Sequence, residues 1–345
     1  MATAFRYFGG AFAFTAVGLL LSLWLGWSYS GSLSGALSFL LVAAILAVLE
    51  ISLSFDNSIV NANRLKHMAP AWRHRFLTWG IVIAVFGMRV LFPLAVVVIA
   101  AGIGPIEALR LAATQPAEYA RIVGSAHVSI AAFGGAFLMM VALTYFIDSG
   151  KEVDWIAALE KRMRAGASIK GLEIGIVLVM IMLFTWLLPA GTEDTFLFAA
   201  IAGICTFLGV EILGQLLDRA AESGEMARAG LGAFLYLEML DASFSFDGVI
   251  GAFALTQNLF LIAIGLGIGA MYVRSMTIML VEKGTLNEFR YLENGAFWSI
   301  LILSVVMFFQ TLVHVPEAVT GLVGAVLIGL SFLSSIRFRR HARRH

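Results

Sequence analysis

Five carboxylates stand inside apolar stretches of this 345-residue sequence: Glu50 and Asp56 in one stretch, Glu238, Asp241 and Asp247 in another. An unpaired carboxylate in such surroundings is costly, so each needs a partner. Arg89 and Arg274 occupy the apolar stretches that follow each acidic one and are the available counter-charges. Two arginines against five carboxylates leave negative charge over, and Glu211 in a further apolar run adds to it. A bound cation or protons would balance that excess. Arg89, Arg274 and Glu238 are therefore candidates for charge balance or gating, beside a cation held by the other acids.

The spacing of the acids limits how they could share a ligand. Residues six apart on an ideal helix are separated by about 9 Å along the axis and about 120° around it, so Glu50 and Asp56 would diverge. Ser52 and Ser54 lie between them, and Ser243 and Ser245 lie between Asp241 and Asp247. Such hydroxyls hydrogen-bond backbone carbonyls and loosen a helix. A local break at each Ser-Phe-Asp segment would bring both carboxylates, freed carbonyls and Asn57 to one ion. Residues 34–64 as a continuous helix would also measure about 46 Å against a hydrocarbon core of about 30 Å, an excess that either a break or tilt explains. Carboxylate, amide, hydroxyl and carbonyl are hard ligands. No His or Cys falls in either motif, so Mn, Mg or Ca fits better than Zn or Cu.

The elements that must position these groups are membrane spans. Sixty per cent of the residues are hydrophobic and 13% charged, and the mean hydropathy is +0.92, outside the range of soluble globular chains. The bilayer is therefore the first expected partner, and nothing points to nucleic acid. The lone Cys205 excludes a disulfide framework or a thiolate metal cluster. Ten segments are long and apolar enough to span: 8–28, 34–64, 76–103, 125–147, 172–190, 196–217, 229–257, 259–281, 294–313 and 317–335. The first has no small-residue cleavage site after Trp27 and is read as a retained span. With the amino terminus inside, 19 of the 23 Lys and Arg residues fall on that side and only Arg110 and Arg121 on the other. The bias predicts an inner-membrane protein with both termini cytoplasmic.

The two motifs also read as a repeat. EISLSFDN at Glu50–Asn57 and DASFSFDG at Asp241–Gly248 match or are conservative at six of eight positions, with an offset of 191. The same offset maps the first span onto the sixth and the following spans in order. The expected fold is all-α and polytopic, about ten transmembrane helices in two inverted five-helix halves, 1–190 and 191–345, with broken motif-bearing helices. Inverted repeats carrying acidic motifs on corresponding helices point to a transport site near the bilayer midplane. Transport, not catalysis, is the expected activity.

The strings LEISLSFDN at 49–57, LEMLDASFSFDGVIGAFALT at 237–256 and YLENGAFW at 291–298 resemble the TerC family of integral membrane proteins. That family lies within the wider lysine-exporter-like transporter superfamily, and the likeness is to a branch described as a domain of unknown function. It extends over nearly the whole chain. By that resemblance Glu50, Asp56 and Asn57 match the first family motif and Asp241 and Asp247 the second, as metal ligands, and the implied activity is export of Mn²⁺. Magnesium sheds its water reluctantly and suits a dehydrated cage less well. Many relatives have Ser after the second aspartate, where this chain has Gly248. Proton exchange is expected because crowded, desolvated carboxylates take up protons when a metal leaves. Two other readings compete. One is a membrane partner that supplies metal to exported enzymes. The other is an intramembrane aspartyl protease, whose GxGD-type motif is replaced here by Phe244-Ser245-Phe246 before Asp247.

Overall fold

A computed structural model describes residues 2–66, 68–222, 230–284, 288–313, 315 and 317–342. The side chains of a few helical residues, Asp247 among them, lie outside the described set. Among the described residues the chain is helical, without strands. Seven helices among the described residues are long and apolar enough to cross a membrane, or up to nine if each of two sharply bent helix pairs counts as one span. The protein is thus an all-helical, multi-pass membrane protein.

In chain order, α1 (Ala2–Ser30) packs against α2 (Leu33–Leu53), and α3 (Phe55–Lys66) follows after the single residue Ser54. Then come α4 (Pro70–Val82), a π-helical segment (Ile83–Leu91) and α5 (Phe92–Ala101). Two short helices, α6 (Pro105–Thr114) and α7 (Pro116–Ser125), lead into α8 (His127–Ile147). The second part comprises α9 (Ala157–Ala165), α10 (Leu172–Leu187), α11 (Glu193–Glu222), α12 (Leu231–Leu255), α13 (Leu259–Glu282), α14 (Leu292–Gln310) and α15 (Glu317–Ala342).

The core is built round α8, which is apolar on every face and is buried between α11 and α14, as expected of a helix without a polar stripe. Phe137, Phe146, Phe184, Phe196 and Phe308 fill that interior. Large apolar side chains on the periphery, such as Trp24, Trp186 and Phe198, are exposed. Exposed apolar bulk over a buried polar interior is the pattern that a hydrocarbon solvent requires.

Three local features shape the interior. The helix of 34–64 is interrupted at Ser54 (φ −101°, ψ 17°), as the first Ser-Phe-Asp segment predicts. The corresponding break near Asp247 is not found: α12 runs unbroken through Ser243, Ser245 and Asp247. Its Ser243 hydroxyl donates to the Met239 carbonyl one turn back, at 3.0 Å, a bond made without opening the ladder. The stretch 76–103 is likewise not one regular helix. Its middle widens to π geometry, where the Phe92 amide bonds to the Gly87 carbonyl. Pro93, just beyond, has no N–H for the usual bond to the carbonyl of residue 89, and its ring crowds that carbonyl. The π turn carries Arg89 into the interior.

Candidate functional site

Close approach of α13 to α2 sets the first half of the site. A Cβ on Gly269 would stand 2.4 Å from both Cβ and Cγ of Glu50, so only glycine lets the two helices meet there. Glu50 is thereby pressed inward and is buried, as are Asp56, Asn57, Ser58 and Asn61 on the following short helix. Burial of these five polar side chains within the twelve positions 50–61 demands partners for each.

Glu50 is ion-paired through Oε1 to Arg89 Nη2, and the pair is almost wholly shielded, with side-chain exposures of 5% and 3%. The Ser54 hydroxyl donates to the same Oε1 at 3.1 Å. The other oxygen, Oε2, faces α12, where a Cβ on Gly248 would come within 3.2 Å of it. The missing side chain at position 248 is thus explained by the space that Glu50 takes.

Asp56 sits in the first turn of α3, where the break at Ser54 creates a fresh helix amino terminus whose dipole favours a carboxylate. Its Oδ1 accepts from the Asn57 amide at 2.8 Å and its Oδ2 from the Ser299 hydroxyl on α14 at 2.7 Å. Glu50, Ser54, Asp56, Ser299 and Gly248 line one small cavity of about 30 Å³, enough for one or two water-sized occupants.

The remaining expected ligands lie elsewhere. Asn57 Nδ2 donates to Asp241 Oδ1 on α12 at 2.6 Å, and neither residue lines the Glu50–Asp56 cavity. Asp247 is on α12, one residue before Gly248, with its side chain outside the described residues. The four expected ligands whose side chains are described therefore fall into two places. Among the described residues, no group of three or more histidine, cysteine, aspartate or glutamate side chains is gathered so as to hold a metal ion. Arg274 donates from Nη1 to the Phe76 carbonyl at 3.4 Å and acts electrostatically on Glu238. Glu238 abuts α4, its Oε1 lying 2.9 Å from where a Gly80 Cβ would be. Glu211 lines a separate crevice with Arg64 and Tyr236.

A larger polar cavity of about 550 Å³ opens at the end of α3 that carries the basic residues, lined by Arg64, Lys66, Lys151, Glu293 and Asn294 among others. Asn63 Nδ2 donates to Glu293 at 2.7 Å, and Lys66 lies 3.8 Å from the same carboxylate. The segment between α8 and α10 forms one wall. It is pinned by Glu160, which is fully buried and accepts from Lys151 Nζ, the Trp155 and Ile156 amides, Asn294 Nδ2 and Trp298 Nε1. Burial alone would raise the Glu160 carboxyl, but the donors from Lys151, Ile156 and Trp298 outweigh it and hold it below the usual range. Asp154 is likewise lowered: burial opposes, and Lys151 and Arg164 prevail.

Sequence reasoning missed Ser299 and Glu160. Ser299 follows directly on the YLENGAFW string, whose Asn294 and Trp298 grip Glu160. The string was the available signal, but nothing in it says which distant carboxylate each donor meets.

Among known proteins, a family model described as "Protein of unknown function (DUF475)" matches residues 55–342. No curated protein and no solved structure matches the chain.

Proposed function

We propose that this chain, which belongs to the DUF475 family, exports a divalent metal cation, with Mn²⁺ as the cargo and protons as the returning charge. The observation that carries the reading is that Glu50, buried and ion-paired with Arg89, lines one cavity with Asp56. A guanidinium held on a carboxylate in the membrane interior is a counter-charge that a cation of like sign can replace. Arrival of the cargo would release Arg89 from Glu50 and leave the ion between Glu50 and Asp56, with Ser54 and Ser299 oxygens beside them and Asp247 completing the set. Departure would restore the pair. The ion is hard because every group named is an oxygen donor.

Likeness to the TerC family motifs supports manganese and the outward direction. The arrangement that goes with this reading is ten spans in two inverted halves, in the inner membrane, with both termini cytoplasmic. α3 and α12, which carry the two motifs, run antiparallel: Asn57 meets Asp241 at one end and Arg64 stacks over Tyr236, 4.6 Å from its ring centre, at the other. Opposed directions are what inverted halves require.

Flux into proteoliposomes containing only the purified chain is the test. Manganese uptake that Asp56→Asn abolishes supports the reading. No flux, with metal still delivered to exported enzymes in cells, would favour the metal-supplying partner instead. Altered calcium or magnesium in cells with unchanged manganese would overturn the cargo.

A further inference from the structure

Among the described residues four side-chain oxygens on α3 and α12 have no hydrogen-bond donor: Oε1 of Glu238, which is turned toward Gly80 on α4, and three others, Oδ1 of Asn57, Oδ1 of Asn61 and Oδ2 of Asp241. Asn57 and Asn61 are 2% and 4% exposed. Each orphaned buried acceptor costs on the order of 1–3 kcal/mol, so three together call for an explanation.

Their proximity follows from the geometry already described. A carboxylate only accepts, so the amide nitrogen of Asn57 must face Asp241 Oδ1, which leaves the amide oxygen turned away from that bond. Asn61 follows one turn later on the same face of α3. It lies between the crossing of Asn57 with Asp241 and that of Arg64 with Tyr236, and so opposite α12 just beyond Asp241.

We infer that Asn57, Asn61 and Asp241 form a second cation site between α3 and α12, apart from the Glu50–Asp56 cavity, and that its ligand is a monovalent metal cation of the sodium type. Two amide oxygens and one carboxylate carry a single negative charge. Arg89 and Glu50 act on Asp241 with opposite signs and, being paired, leave that count unchanged. Glu238, one turn before Asp241 on α12 and turned toward Gly80, is acted on by Asp241 and by Arg274 with opposite signs; set against Arg274, it too leaves the count unchanged. A divalent ion would leave a buried positive charge uncompensated, whereas a monovalent one is matched. Hard oxygen ligands exclude a soft ion. A role for this cation as coupling ion rests on the transport reading above; its binding does not.

The test is the unfolding temperature of the purified full-length protein in detergent, in sodium chloride against choline chloride at equal ionic strength. A ligand that binds only the folded state raises it. The expected result is a saturable rise of about 2 °C or more in sodium, lost in Asn61→Ala and Asp241→Asn and kept in Asp56→Asn. No difference between the salts, or a rise that Asn61→Ala retains, would overturn the inference. Should Asn61→Ala not fold, Asn61→Ser takes its place; a weaker half-saturation supports the site and an unchanged one overturns it. Manganese chloride is run in parallel. A manganese rise lost in Asn61→Ala, without a sodium effect, would overturn the monovalent assignment. A sodium effect with no manganese effect would leave this site standing and remove the cargo proposed above.

Discussion

Trp298 and Ser299 are consecutive on α14 yet bond to carboxylates from different parts of the chain: the indole Nε1 donates to Glu160 at 2.9 Å and the hydroxyl to Asp56 Oδ2 at 2.7 Å. Neighbours on a helix project about 100° apart, so α14 is gripped on two faces at one level. One face holds the loop that walls the large cavity, and the other holds the carboxylate of the small one. A shift of α14 is felt at both.

Asp56→Asn should reduce metal flux to background while the protein folds, because the amide keeps shape and loses charge. Ser299→Ala removes one bond to an ionised group, about 1.5–3 kcal/mol, and should weaken flux without abolishing it. Proteoliposome uptake measures both. Wild-type flux in Asp56→Asn would take that residue out of the site.

Arg89→Ala leaves Glu50 buried without its counter-charge, a loss of about 3–5 kcal/mol. Adding Glu50→Gln should recover much of that loss, since the double variant holds no orphaned charge. Denaturant unfolding in detergent of the two single variants and the double one tests the coupling. Additive losses would show that the pair does not act as a unit.

Gly248→Ser places a Cβ 3.2 Å from Glu50 Oε2, closer than ordinary contact, and should push Glu50 off its place. The expected outcome is flux several-fold below wild type, despite the extra hydroxyl that could serve as a ligand. Flux at or above wild type would mean that Glu50 has room to yield.

The Lys151, Asp154 and Glu160 cluster should make stability depend on pH at the acid end. Both carboxyls are held below their ordinary values. Their contribution is therefore complete above the unfolded values, near 4, and is lost as pH falls through the lower folded ones. Glu160→Gln should flatten that acid limb in a plot of unfolding temperature against pH. An unchanged limb would assign the dependence to other groups.

Much of the interior was legible in the residues themselves. Carboxylates in apolar stretches had to be compensated because hydrocarbon cannot solvate them. The break before Asp56 followed from a serine-flanked segment in a helix too long for the bilayer. These features depend on composition and local spacing, which a sequence displays directly. The unbroken α12 shows the limit of that reasoning, since a serine can bond within an intact helix as easily as it can loosen one. The pairing itself was decided by the tertiary structure. Arg89 reaches Glu50 across 39 residues, Asn57 reaches Asp241 across 184, and Ser299 reaches Asp56 across 243. Which donor meets which acceptor depends on how helices cross and which faces they turn to one another. No periodicity within a single helix encodes that, so the separation of Asn57 and Asp241 from the Glu50–Asp56 cavity, and the grip of α14 on two carboxylates, arise only once the helices have packed.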